Sequence, residues 1–288
     1  MTSPEKSARL LPSAVLAALR CSVCGGELAV SGHAVCCERR HAFDIARQGY
    51  VNLLHAKVAA GTADTTDMVA ARVEFLGAGF YAPLARLLAA RAAAQSRARL
   101  VVDAGAGTGY YLAAVLDALP AASGLALDVS VPALRRAAKA HPRIGAAVWN
   151  LWHPWPVGTA SADVVLNVFA PRNAAEFHRV LRPGGTLLVA SPGRPHLREL
   201  ASRLGLLDIG EDKQQRLDTA LAGRFEAVDR DRHEETVPLP PADARRAVLM
   251  GPNAHHLHRD GLRERLDGLT GTVEVTLSFQ VSVYRRLP

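Results

Sequence analysis

Four residues of this chain have the types and spacing of metal ligands. Cys21-Ser22-Val23-Cys24 is followed by Cys37-Glu38-Arg39-Arg40-His41, which reads C-x2-C-x12-C-x3-H. Thiolate sulfur and imidazole nitrogen are zinc donors, and three cysteines with one histidine fill a tetrahedron with no position left for water. Such a closed site is structural, not catalytic. The C-x2-C knuckle needs a tight turn, and Gly25-Gly26 directly after it tolerate the positive φ that such a turn requires. A module this small buries too little apolar surface to fold alone, so the metal would supply much of its stability. Cys36 is a second option for the third ligand, through an x4 spacing to His41, and His33 is another nitrogen donor without a matching partner. Two disulfides are the arithmetical alternative and need an oxidising compartment. The apolar stretch at 10–19 would have to be a secretion signal, yet Arg20 stands where cleavage needs a small residue.

A second constellation is Asp103-Ala104-Gly105-Ala106-Gly107-Thr108-Gly109, between a short apolar run at 100–102 and a helical pattern at 110–119. The ligand crevice of a doubly wound sheet opens at such a strand end. A dinucleotide fingerprint would read G-x-G-x-x-G, but position 110 is Tyr, and the Gly-Lys-Ser/Thr of a phosphate loop is missing. What remains is G-x-G-x-G after an acid, with a second acid, Asp128, closing the next strand. Glycines let a ligand approach the backbone, and a strand-end carboxylate can accept from both hydroxyls of a ribose. The pattern resembles the S-adenosylmethionine site of Rossmann-like methyltransferases. The alternative is a glycine turn that only packs helix on strand.

These residues need a scaffold, and the rest of the chain has the periodicity of one. Strand patterns at 100–102, 124–127, 146–149, 163–169 and 186–190 alternate with helical patterns at 110–119, 130–140 and 170–181. That alternation implies an α/β fold with a parallel sheet covered on both faces. Ser130 is a candidate N-cap with Pro132 in the first turn, and Arg182-Pro183-Gly184-Gly185 reads as a turn. Further elements are expected at 1–20, 68–76, 83–94, 197–207 and 242–250 (helices) and at 225–237 and 273–284 (strands), with a polar hinge at 61–67. The organisation expected is an N-terminal zinc-binding module at 1–55 (RNA recognition being the role implied by the resemblance given below), a helical linker at 56–98 and a Rossmann-like methyltransferase domain at 99–288. With 49% hydrophobic residues in 288, a core is available, and no run is long enough for a membrane span, so a cytoplasmic location is expected. The formal charge of +7 favours an anionic partner such as nucleic acid. Arg outnumbers Lys heavily, only four basic residues being Lys, which GC-rich coding would also produce.

The zinc pattern, the segment HAFDIARQGYVNLL at 41–54 and the glycine loop together resemble the bacterial 23S rRNA guanine-N1 methyltransferases over nearly the whole chain. The likeness includes Gly79-Phe80-Tyr81, Gly109-Tyr110-Tyr111, Asn167-Val168-Phe169-Ala170-Pro171-Arg172-Asn173 and Ser191-Pro192-Gly193 with His196. The stretches 64–72 and 167–173 look closest to the branch of macrolide producers, the tylosin-resistance type, which modifies guanosine 748; a sister branch modifies guanosine 745. The resemblance implies structural zinc on Cys21, Cys24, Cys37 and His41. It implies S-adenosylmethionine contacts at Tyr81, Asp103, Gly105, Gly107, Gly109, Tyr111, Leu112, Asp128 and His196. Asn150 is a candidate contact for the adenine amino group. That position lies in Trp149-Asn150-Leu151-Trp152-His153-Pro154-Trp155, where relatives have a compact acidic-polar stretch. The three tryptophans are core, cofactor packing or a base-stacking surface.

For the substrate, Asn167 and Pro171 are expected at the target guanine, and Arg39 and Arg40, between metal ligands, at the RNA. Arg135, Arg136 and Lys139 share one helix face, either basic surface or simple solvation. Guanine N1 must lose a proton and must be unpaired or flipped to be reached. Asp64, Asp67 and His196 are candidate acceptors, and no catalytic base is assigned. The expected partners are a 23S rRNA hairpin and no membrane, with a second copy of the chain left open. A small-molecule methyltransferase using the zinc module as a lid, and an RNA-binding module without activity, are the rival classes.

Overall fold

The computed structural model describes residues 11–54, 63–206, 213–258 and 261–288. The expected helix over 1–20 and hinge over 61–67 lie partly outside these residues. Within them, helix α1 (Ser13–Ala18) leads into strands β1 (Ala29–Ser31), β2 (Ala34–Cys36) and β3 (Ala42–Asp44), which form a small antiparallel sheet. Strand β4 (Tyr50–Asn52) follows, and then α2 (Thr66–Gly77) and α3 (Ala82–Ala93). Thr65 caps α2 by accepting from the Met68 N–H at 3.3 Å, while Pro83 sits in the first turn of α3.

The alternating part of the chain gives β5 (Leu100–Ala104), α4 (Tyr110–Ala118), β6 (Ser123–Asp128), α5 (Val131–Ala140), β7 (Ile144–Val148), β8 (Ala162–Val168), α6 (Ala174–Val180) and β9 (Leu181–Pro192). It continues through α7 (Arg198–Leu204), α8 (Lys213–Leu221), β10 (Phe225–Leu239) and α9 (Pro241–Leu249). A 3-10 turn at Pro252–His256, α10 (Leu262–Asp267) and β11 (Val273–Arg286) complete it. One eight-stranded sheet results, in the order β10-β11-β9-β8-β5-β6-β7-β4. The strands from β4 to β9 pair in parallel, and β11 runs antiparallel between β9 and β10. Strand β5 is buried at every position, as a central strand covered on both faces must be. Alternate residues feed two cores: Val101 and Ala126 pack with α3, α4 and α5, while Val102, Leu125 and Leu127 pack on the side of α1, α6 and the small sheet.

Three departures from the sequence reading have physical causes. The segment 182–185 is an excursion inside β9 and not a separate turn. Leu181 faces Ala162 and Thr186 faces Val164, so the extra residues bulge out, with Gly184 at φ +72°. Strand β7 ends at Val148, which leaves Trp149 outside it. Strand β4 is only three residues long, too short for a period, yet it extends the main sheet by pairing with β7 from Tyr50↔Ala146 to Asn52↔Val148. The N-terminal region is also stitched to the core elsewhere. Arg20 N–H donates to Pro156 O at 2.9 Å, Gly158 N–H donates to Ala18 O at 2.7 Å, and a Cβ on Gly145 would stand 2.8 Å from Val15 Cγ1.

Candidate metal centre and cofactor crevice

The knuckle folds as its glycines dictate. Gly25 has φ +73° and donates to Cys21 O at 2.8 Å, while Cys21 N–H donates to Gly26 O at 2.8 Å. On the facing loop Arg40 N–H donates to Cys37 O at 2.9 Å and Cys37 N–H to His41 O at 3.1 Å, with Arg40 itself left-handed at φ +63°. These turns bring one donor atom each from Cys21, Cys24, Cys37 and His41 within 4.8 Å of one another. The separations are 3.7 Å for Cys24 Sγ–Cys37 Sγ, 3.5 Å for Cys21 Sγ–His41 Nδ1 and 3.3 Å for Cys37 Sγ–His41 Nδ1. A tetrahedron built on zinc–sulfur bonds of about 2.3 Å and zinc–nitrogen bonds of about 2.0 Å has edges of about 3.8 and 3.5 Å. The donor set therefore fits zinc, through the Nδ1 nitrogen of His41. Burial pushes the Cys37 thiol up, but the His41 backbone N–H and the neighbouring cysteines and histidine outweigh it and bring it down to about 6. Cys36 and His33 are not in the cluster. Arg39 and Arg40 are exposed on the loop between ligands.

The second site is a crevice of ≈ 1230 Å³ over the carboxyl ends of β5, β6 and β8, where the strand order reverses. Its floor is the glycine loop, and each glycine has a different job. A Cβ on Gly105 would collide with Ala170, so this glycine lets the loop after β8 close in. A Cβ on Gly107 would stand 3.0 Å from Arg72 Nη1. Gly109, at φ +77°, opens α4, and a Cβ there would lie 2.9 Å from Ala137 Cα on α5. Gly105 and Gly107 thus line the crevice, whereas Gly109 serves helix packing and does not.

Two carboxylates sit below. Asp128 takes the Gly107 N–H on Oδ2 and the Ser130 N–H on Oδ1, both at 2.8 Å, so each oxygen keeps one lone-pair direction for a ligand hydroxyl. Burial raises its pKa against those two N–H groups. Asp103 is 1% exposed, and among the described residues its Oδ1 has no hydrogen-bond partner. Burial, and then the nearby Asp128 charge, push the Asp103 acid up to about 8. An unsatisfied buried carboxyl oxygen is costly unless a ligand completes it. A cationic amine does so, and S-adenosylmethionine carries one. The cradle a Cβ would fill, the strand-end acceptor and the orphaned oxygen fit this cofactor.

The remaining expected residues separate. Tyr81 Oη lies 2.9 Å from His196 Nε2, and Ser278 N–H donates to His196 Nδ1 at 3.2 Å. The neutral ring therefore carries its proton on Nε2 and donates to Tyr81, which keeps its own hydrogen for another acceptor. Both residues line the crevice, as do Tyr111 and Asn150. Asn150 Oδ1 accepts from Trp152 N–H at 3.0 Å, so the carbonyl expected at the adenine amino group already caps a turn. Leu112 is fully buried on the inner face of α4, its methyls against Gly124 of β6, and its side chain is core.

Asn167, expected at the target guanine, stands behind the crevice lining. It is 1% exposed, and its amide donates to Ala104 O at 3.2 Å and Pro171 O at 2.9 Å. It braces the 168–171 loop from behind and does not line the crevice, although Pro171 does. Of the candidate proton acceptors, Asp64 is paired with Arg72 at 2.5 Å, Asp67 is exposed and off the crevice, and His196 is held as described.

Three residues at the mouth have roles that the sequence left open or unassigned. Arg72 reaches over the glycine loop to Asp64 and donates to Met250 O at 2.6 Å. Phe169 is 42% exposed at φ +53°, a left-handed backbone that a bulky residue rarely adopts, with its ring 6.4 Å from His196 and nearly parallel to it. Trp152 is 67% exposed, while Trp149 and Trp155 are buried, so the tryptophans divide between core and surface. Residue type alone shows neither strain nor exposure.

The strand order with one antiparallel strand, the glycine loop at the reversal and the acid ending β6 define a Rossmann-like class I methyltransferase. A family model described as "RlmA, N-terminal" matches residues 19–58, and one described as "Methyltransferase domain" matches residues 101–185. The 23S rRNA (guanine(748)-N(1))-methyltransferase of Streptomyces fradiae is 49% identical over 275 residues, spanning 94% of this chain and 97% of its own. A Micromonospora griseorubida protein, named as a candidate 23S rRNA (guanine-N(1)-)-methyltransferase, is 48% identical over 93% of this chain and 97% of its own. In fold alone, a chain from the complex of the Haloferax volcanii Trm112 methyltransferase activator with a methyltransferase aligns at a TM-score of 0.50. That alignment has 18% identity and covers 79% of this chain and 100% of that one. The chain belongs to the 23S rRNA (guanine-N1)-methyltransferase family. It is an S-adenosylmethionine-dependent methyltransferase with a zinc ribbon.

Two outcomes follow from this geometry. Metal analysis of fresh protein is expected to give one zinc per chain, and Cys24→Ser to lose it. Because β4 pairs with β7, hydrogen exchange should then quicken at 50–52 and along the β7 edge while β5 and β8 stay protected; unchanged exchange at β4 would contradict the coupling. For Asp103, the folded protein keeps the proton up to about 8 against 3.8 for the free side chain, so this group lowers stability as pH rises between the two. Asp103→Asn is therefore expected to raise the melting temperature of ligand-free protein at pH 7.5. It should weaken S-adenosylmethionine on the order of 10- to 100-fold and abolish the rise in cofactor affinity from pH 6.5 to 8. Calorimetry showing wild-type affinity with the same pH dependence would remove Asp103 from the site.

Proposed function

We propose that this enzyme methylates N1 of guanosine 748 in a hairpin loop of 23S rRNA and thereby contributes to macrolide resistance. The observation that carries the reading is the 49% identity over 94% of the chain to the Streptomyces fradiae enzyme of that name. A crevice mouth flanked by exposed aromatic rings supports it. Bound in the crevice, S-adenosylmethionine supplies an electrophilic methyl group. The chain must present the Watson–Crick edge of one guanine to it, which requires an unpaired or flipped base. Phe169, held at the end of β8 by its strained backbone, offers a face on which that base stacks, and Trp152 offers a second aromatic surface at the same mouth. Asn167 and Asn173 fix the loop that carries Phe169. The first bonds Ala104 and Pro171, and the second donates to Leu151 O at 3.0 Å on the neighbouring loop. Most of the acceleration comes from this positioning and from excluding water. Asp64 is tied to Arg72 and Asp103 is buried where the cofactor's amine would sit, so in this reading the N1 proton leaves through the mouth to solvent. A methyl on N1 removes a Watson–Crick donor and adds bulk where a macrolide must fit in the exit tunnel.

The test is expression in a macrolide-susceptible host lacking its own enzyme. Primer extension on 23S rRNA should stop beside guanosine 748, and drug tolerance should rise with the stop. Phe169→Ala is expected to lower kcat/KM about 5- to 150-fold, the effect of one lost base stack of about 1–3 kcal/mol, with cofactor affinity within twofold and activity largely restored in Phe169→Trp. A stop at 745 would refute the target. Labelled methyl on a small metabolite, with no stop in the hairpin, would refute the rRNA reading.

A further inference from the structure

Two arginines of the elements around the crevice are anchored to acids, Arg72 of α2 to Asp64 and Arg246 of α9 to both Glu74 and Asp243. The outer face of α5 differs. Arg135, Arg136 and Lys139 are all exposed, and among the described residues none of the three has an ion-pair or hydrogen-bond partner. All three line one groove of ≈ 280 Å³ whose other walls include Gln48 of the zinc ribbon and Thr66 of α2. Like charges three and four residues apart on a helix repel, which weakens the helix unless an anion lies between them. A solvated helix face would splay such side chains outward. Here they border a groove shared by three elements distant in sequence.

The groove also has a direction. Helix α5 begins beside the crevice, where Val129 is a lining residue and Ser130 Oγ donates to Asp64 O at 2.8 Å. Ten residues of helix span about 15 Å, so the basic row lies only a few nucleotides from the mouth. Exposed Arg47 precedes Gln48 on the ribbon side. A polyanion lying in this groove would touch the ribbon, α2 and α5 at once while one of its bases reached Phe169.

We infer that the groove between the zinc ribbon, α2 and α5 is a phosphate-backbone clamp for the RNA strand flanking the target nucleotide. Arg135, Arg136 and Lys139 are its cationic contacts and Gln48 its neutral one. The inference rests on the rRNA-methyltransferase reading. It assigns these residues to RNA affinity and not to base choice or chemistry, because phosphate contacts position without specifying sequence.

The experiment uses the full-length, zinc-loaded protein and a 23S rRNA fragment containing the hairpin. Arg135→Ala, Arg136→Ala and Lys139→Ala are combined, alanine being a good helix former at exposed positions. Three lost phosphate contacts should lower the slope of log affinity against log salt by about 2 to 3. The KM for RNA should rise at least tenfold, with kcat at saturating RNA and S-adenosylmethionine affinity within twofold of wild type. Arg224→Ala with Arg232→Ala, at the opposite sheet edge by β10, should change neither slope nor KM. A triple variant with the wild-type salt slope and KM overturns the clamp. A slope reduced equally by the β10 control overturns it too, since the effect would then be only net charge. If the wild-type protein neither binds nor methylates the fragment, the rRNA reading fails first, and the two failures are separable.

Discussion

The loop after β5 is fastened to the end of β6 by three backbone donors. Gly105 and Ala106 give their N–H groups to Leu127 O at 2.8 and 3.0 Å, and Gly107 gives its own to Asp128 Oδ2 at 2.8 Å. This bonding lets the chain turn through three left-handed glycines without leaving buried donors unpaired. The missing side chains then set what surrounds the loop. The bend of the 168–171 segment stops at Gly105, Arg72 lies over Gly107, and α5 packs on Gly109. The same fastening holds Asp103 below the loop with one oxygen unsatisfied. A buried oxygen left so costs free energy until a partner completes it, which a cationic ligand group can do.

The zinc ribbon is not a separate bead on this arrangement. Its own small sheet is pinned by the metal ligands, and the strand that leaves it, β4, becomes the edge of the methyltransferase sheet next to β7. The segment 144–148 is thus held on one edge by β4 and on one face by α1, through Gly145. Strand β7 feeds directly into Trp149 and Asn150 at the crevice wall. Loss of metal would act on the cofactor site through this edge without any ligand of the metal entering the chemistry. The exposed Arg39 and Arg40 then belong to a surface whose position relative to the crevice is set by β-sheet hydrogen bonds and not by a flexible linker.

What was legible in the sequence is what depends on residue type at fixed spacing. The C-x2-C-x12-C-x3-H ligands, the G-x-G-x-G loop and Asp128 come together as their chemistry requires, because donors and glycines have few substitutes. The alternating strands and helices were legible because strands covered on both faces read as short continuous apolar runs between helical patterns. Three kinds of feature were not. Strand β4 has three residues, too few to show a period. Asn167, Leu112 and Gly109 stood in the right stretches, but a sequence cannot say which way a strand-end side chain faces or whether a glycine serves ligand or helix. In the fold these residues serve the loop, the core and α5. The roles of Phe169 and Trp152 depend on backbone strain and exposure, which arise only from the finished loops.

In this reading the loop-bound crevice between Asp103 and Asp128 holds the cofactor. Asp128 is the direct probe, since each of its oxygens takes one backbone N–H and keeps a lone-pair direction for a ribose hydroxyl. Calorimetric titration of S-adenosylmethionine into Asp128→Ala, beside wild type and with the fold checked by circular dichroism, measures this without any RNA. A loss of about 1.5–3 kcal/mol, on the order of 10- to 100-fold in Kd, is the result expected for charged hydrogen bonds. Wild-type affinity in a folded Asp128→Ala protein would contradict the placement of the cofactor site.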